Sequence, residues 1–85
     1  MRTYLQTKYD SRKSFCNKAE VETAKSGLKL YSYNTFVAEI ENGVAKVYNL
    51  QSTTTVRHVK EFLLQNGYDA ESKKQIERNY FRGGE

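Results

Sequence analysis

From Phe36 to Tyr48 apolar and polar positions alternate, and the alternation reverses across Asn42-Gly43. Asn-Gly is the strongest two-residue hairpin signal, because a type I′ turn needs positive φ at both central residues. A turn there pairs Glu41 with Val44, Ile40 with Ala45, Glu39 with Lys46, Ala38 with Val47, Val37 with Tyr48 and Phe36 with Asn49. One face then carries Phe36, Ala38, Ile40, Ala45 and Val47, and this is the expected core face. The other carries Val37, Glu39, Glu41, Val44, Lys46 and Tyr48. A slip of one residue buries Glu39 and Glu41, so the pattern rejects that register.

The period then changes. Ser52-Thr53-Thr54-Thr55 is a run of N-cap residues, and the spacing predicts a helix over 53–67. Val56, Val59, Phe62 and Leu63 fall within about 120° of arc. Arg57, Lys60 and Leu64 lie on the adjoining flank. His58, Glu61 and Gln65 are expected to face outward. Gly67 stands where a C′ glycine belongs. Before the hairpin, residues 14–23 alternate from Lys18 onward, with Ala19 and Val21 inward and Phe15 as an anchor. Ala24-Lys25-Ser26-Gly27 is the expected turn, with Gly27 at positive φ. The chain returns through Leu28, Leu30 and Ser32 on one face and Lys29, Tyr31 and Tyr33 on the other. Residues 14–50 thus read as two β-hairpins and 1–13 as a polar lead-in, in which Tyr4 and Leu5 either add a short strand or pack loosely. Residues 70–82 predict a short helix, with Ser72 and Gln75 spaced as a capping box and Asp69 as a rival cap. Gly83-Gly84 is its expected frayed end. The fold class is α+β: an antiparallel β-meander of about four strands, one amphipathic helix on one face and a short C-terminal helix, in a single domain over 1–85.

Composition narrows the function classes. The 85 residues carry a net charge of +4, one cysteine and one histidine. Zinc is disfavoured, because a tetrahedral structural site needs four ligands. A nucleophilic pair of Cys16 with His58 needs hydrogen-bond reach that no spacing here indicates. No glycine-rich phosphate loop and no paired catalytic carboxylates stand out, so the expectation is a protein that is not an enzyme and holds no cofactor and no metal. The lack of any apolar run near the roughly 20 residues of a membrane span predicts no membrane contact, and a lone cysteine suits a reducing cytoplasm.

Seven tyrosines and four phenylalanines among the 85 residues instead point to contact surfaces, because tyrosine joins an apolar ring to a polar tip. Tyr31, Tyr33, Val37 and Tyr48 on the non-core sheet face, with Arg57, Lys60 and Leu64 on the helix flank, are the candidate partner-binding residues. Aromatics among lysines also suit single-stranded nucleic acid, so a small basic nucleic-acid-binding module is the alternative, although Glu39 and Glu41 oppose phosphates. A thin core and open sheet edges favour a homo-oligomer.

Three stretches carry a resemblance: YDSRKSFCNKA (9–19), YSYNTFVAEIENG (31–43) and STTTVRHVKEFLLQNGY (52–68). Together they resemble a family of short proteins of bacteriophages and mobile elements. Its pattern opens with DSR-SF-G-KA, continues through SYNT-VA-I and closes with S-TT-RH-KEFL-QNG. The likeness runs from Tyr9 to about Gln75 and departs at Cys16-Asn17, where an aromatic and a glycine are expected. No residue inherits a catalytic role. The resemblance implies a stoichiometric inhibitor of a host defence or nucleic-acid-handling protein, an anti-CRISPR protein being one such, acting in the cytoplasm of the bacterial host with a host protein as partner.

Overall fold

Asn42 and Gly43 take φ of 51° and 79°, as a type I′ turn requires. The pairs around them are those expected, from Glu41 with Val44 to Ala38 with Val47. A computed structural model describes residues 2–10, 15 and 17–82. Its strands are β1 (Arg2–Tyr4), β2 (Ala19–Ala24), β3 (Gly27–Ser32), β4 (Thr35–Glu41) and β5 (Val44–Val47), followed by helices α1 (Thr53–Gln65) and α2 (Lys73–Asn79). The five strands form one sheet in sequence order, antiparallel throughout. The α+β meander therefore stands, with one strand more than the alternation showed. The addition is β1, where Arg2 to Tyr4 pair with Glu22 to Glu20. Leu5 follows it into the core. The Cys16, Asp10-Ser11 and Gly83-Gly84 expectations fall wholly or partly outside the described residues.

One irregularity redistributes the central hairpin. Leu30 pairs with Ala38, but the next residue, Tyr31, pairs with Phe36, which leaves Val37 as an extra residue on β4. A β-bulge of this kind sets two residues against one and breaks the period of two. Val37 and Ala38 are both buried, whereas Phe36 is 38 % exposed. The sequence placed these two the other way round, with Phe36 in the core and Val37 on the free face. Both placements are corrected by the bulge, which flips every side chain before it.

The β3–β4 connection is a second turn with positive φ twice, at Tyr33 (52°) and Asn34 (65°). Tyr33 is thus a turn residue and not a member of the strand face it was assigned to. Gly27 lies within β3 and is not at positive φ. Its need for glycine is steric, because a Cβ there would stand 1.7 Å from the Ile40 carbonyl oxygen. Asn17, where the resemblance expects glycine, has φ of 61°, a conformation that asparagine tolerates better than most residues.

Ser52 caps α1 by accepting the Thr55 N–H, and Gly67 takes φ of 84° after the helix. Val59, Phe62 and Leu63 are fully buried with Leu30, Val37, Ala38 and Val47 in one apolar cluster, which Ile76 of α2 also enters. His58 and Glu61, expected outside, are each only 1 % exposed. The residues before β2 cover them. Phe15 meets the His58 ring edge-on at 4.5 Å, and Ser32 Oγ lies 2.8 Å from His58 Nδ1. The Glu61 carboxylate accepts the backbone N–H groups of Lys8, Tyr9 and Asp10 at 2.9–3.2 Å. Gln65 donates to it at 2.7 Å. Helix α2 ends at Asn79, short of the expected 82. The chain then extends along β5, where Phe81 bridges Val47 in parallel, with hydrogen bonds from Val47 N–H to Tyr80 and from Arg82 N–H to Val47.

Candidate functional site

Two surfaces collect the candidate residues. The first is the sheet face turned away from the helices. Register places Glu20, Glu22, Lys29, Tyr31, Glu39 and Lys46 on it. The bulge adds Phe36, which joins Tyr31 (ring centroids 5.8 Å) and Tyr48 (5.4 Å) in a continuous aromatic cluster. The polar tips are held in place. Tyr31 donates to Glu22 at 3.1 Å, Tyr48 donates to Glu39 at 2.5 Å, and the Arg2 guanidinium lies 3.8 Å from the Tyr31 ring centre. Burial, reinforced by the Glu39 hydrogen bond and the negative charge of Glu39 and Glu41, pushes the Tyr48 phenol up to about 12. Ordered rings with fixed hydroxyls lose little side-chain freedom on contact, which favours them as anchors of an interface.

Of the sheet-face candidates, Tyr31 and Tyr48 belong to this cluster. Val37 does not, being buried beneath it. Tyr33 is 56 % exposed but stands in the turn with its ring 6.0 Å from His58. Phe36 is the member that the alternation missed, because Phe36, Val37 and Ala38 are all apolar and do not mark where the period of two is interrupted.

The second surface is a groove of about 420 Å³ along the flank of α1. Arg57, Lys60 and Leu64 line it together, as the helical spacing places them. Tyr9 and Asp10 form one wall and Lys73 of α2 the other, with Val56 and Leu64 as the apolar part of the lining on α1. Asp10 holds Arg57 through a 3.0 Å ion pair. Sequence spacing within α1 revealed this flank but not its walls, one of which comes from residues about 50 positions away in the chain.

The titratable groups behind the groove are internal. Burial raises the Glu61 carboxyl, but the Gln65 and backbone donors outweigh it and leave the group below the ordinary glutamate value. Burial lowers the His58 imidazole, against an opposing pull from Asp10. The Ser32–His58 pair is thus a neutral hydrogen bond sealed in the core, joining β3 to α1. Among the described residues no group of three or more His, Cys, Asp or Glu side chains is placed to hold a metal ion, and no helix is long and apolar enough to cross a membrane.

The sequence model of a family of unknown function, DUF8033, matches residues 3–78. The chain belongs to this family. The matched span contains every strand from β2 onward, the aromatic cluster, the groove residues and most of the two helices, and it encloses the three stretches on which the resemblance rests. No curated protein and no solved structure matches the chain.

Proposed function

We propose that this family member is a non-enzymatic, protein-binding inhibitor of bacteriophage or mobile-element type. It acts in the cytoplasm of a bacterial host by stoichiometric occupation of a host defence or nucleic-acid-handling protein, as anti-CRISPR proteins do. The observation that carries the binding reading is the Tyr31–Phe36–Tyr48 cluster, an ordered aromatic patch on a sheet face that the helices leave uncovered. The phage context rests on the resemblance.

The overall charge of +4 favours the alternative, a nucleic-acid-binding module. The distribution of charge on the sheet face favours protein. Glu20, Glu22, Glu39 and Glu41 surround the rings there, against Arg2, Lys29 and Lys46. A phosphate backbone crossing that face meets at least as much repulsion as attraction, whereas a protein partner offers side chains of both signs.

The test is affinity capture from lysate of a bacterial host, with wild type beside a Tyr31→Ala, Phe36→Ala double variant. A single host protein retained in stoichiometric amount by the wild type and lost by the variant, whose melting temperature stays within a few degrees, supports the reading. Retention of DNA or RNA in place of protein, released as salt rises, overturns it in favour of the alternative.

A further inference from the structure

The groove beside α1 presents a charge asymmetry that the fold does not consume. Both carboxylates in its walls are committed, Asp10 to Arg57 at 3.0 Å and Glu61 to three backbone N–H groups and Gln65. Lys60 is half-buried and Lys73 is exposed, and among the described residues neither has an ion-pair partner. The apolar part of the floor is the half-buried Val56 and Leu64, which stand about one helical turn before and after Lys60 on α1. The walls come from three separate parts of the chain, so the shape depends on tertiary packing and not on one mobile loop.

We propose that the groove captures an acidic segment of a partner protein, seating apolar side chains on Val56 and Leu64 and carboxylates on Lys60 and Lys73. Charge complementarity selects this occupant. A small anion satisfies the lysines but leaves the floor wet and a volume of about 420 Å³ largely unfilled. Nucleic acid brings phosphate but no aliphatic side chain for the floor. An acidic peptide with leucine-like residues meets both demands, and the Lys60 stem adds aliphatic surface beside the floor. The inference deepens the protein-binding reading by giving the chemistry of a partner segment, yet it uses a surface separate from the aromatic cluster.

Fluorescence anisotropy on the full chain tests it. The probes are dye-labelled peptides of about three helical turns, with leucines spaced by three, four or seven positions and glutamate or aspartate between them. Matched controls carry lysine for the acids or serine for the leucines, and an oligothymidylate of equal net charge is the polyanion control. At least one acidic leucine peptide is expected to bind about tenfold or more tightly than all three controls. Lys60→Glu with Lys73→Glu should weaken it about tenfold or more at an unchanged melting temperature, and Tyr31→Ala with Tyr48→Ala should leave it as in wild type. The proposal is overturned if no acidic peptide binds below ~1 mM, if the oligothymidylate or the serine control binds as well, or if the charge-reversed variant binds like wild type. Loss of peptide binding in the tyrosine variant also overturns it, by moving the site to the sheet face. Failure of the groove thus leaves the sheet-face reading standing, and the converse holds too.

Discussion

Glu61 shows how a residue of solvent-facing type becomes structural. Its carboxylate supplies acceptors for three consecutive N–H groups of a segment about 50 residues away, and hydrogen bonds to a charged acceptor contribute more than neutral ones. Glu61→Gln keeps the size but replaces one oxygen with a donor facing those N–H groups, and is expected to cost about 2 kcal/mol or more in urea unfolding at pH 7. The acid side of the stability curve follows from two lowered groups. His58 is lowered from 6.5, so the unfolded chain binds a proton first and stability falls as pH drops below 6.5 toward the folded value. Glu61 is lowered from 4.5, so its contribution, complete above 4.5, fades as pH falls through its folded value. Unfolding midpoints measured from pH 8 to pH 3 should decline in these two windows. His58→Asn, which keeps an atom near Nδ1, should flatten the upper one only. On the alkaline side, the Tyr48 phenol at about 12 means that folded protein resists its ionisation. Absorbance titration near 295 nm (~5 nm either side serves) should show a tyrosine titrating well after the ordinary value of about 10, and Glu39→Gln should bring it down.

At the scale of elements, the bulge on β4 decides which aromatic is a core residue and which is a contact residue. Val37→Ala is expected to cost about 2 kcal/mol, by removing buried methyl groups from a filled cluster. Phe36→Ala should cost less than about 1 kcal/mol, because Phe36 is 38 % exposed and its ring meets the half-exposed rings of Tyr31 and Tyr48. Thermal melts of the two variants separate these outcomes; a larger loss for Phe36→Ala would refute the bulge. Gly27 gives a second local test. A Cβ 1.7 Å from the Ile40 carbonyl forces β3 and β4 apart, so Gly27→Ala should destabilise by about 3 kcal/mol or more. Gly43→Ala meets no atom within 4 Å and strains only the φ of 79°, costing about 1 to 2 kcal/mol. The order of these two losses by chemical denaturation checks whether close approach or backbone conformation governs each glycine.

Across the whole molecule, the residues before β2 act as a strap that completes the domain. β1 extends the sheet, Leu5 and Phe15 enter the core, and 8–10 close over Glu61. Removal of residues 1–10 is therefore expected to strip Glu61 of its three backbone donors and of its cover, and to lower the melting temperature by more than about 15 °C, since 1 kcal/mol corresponds to roughly 4–8 °C in a domain of this size. The same strap forms a wall of the groove, while residues 80–82 lie along β5 and occupy one of the two sheet edges. Local chemistry in the sequence determined much of this protein. The Asn42-Gly43 turn with its register, the Ser52 cap, the Gly67 terminus, the Val59–Phe62–Leu63 stripe and the Arg57–Lys60–Leu64 flank all depend on residues within a turn or a helix of one another. Tertiary structure alone decided the fates of Phe36 and Val37, His58 and Glu61, and the walls that turn a helix flank into a groove. A bulge is fixed by how β4 meets β3 and the core, and the burial of a polar side chain is fixed by donors contributed from far along the chain. Neither is written in the alternation of neighbouring residues.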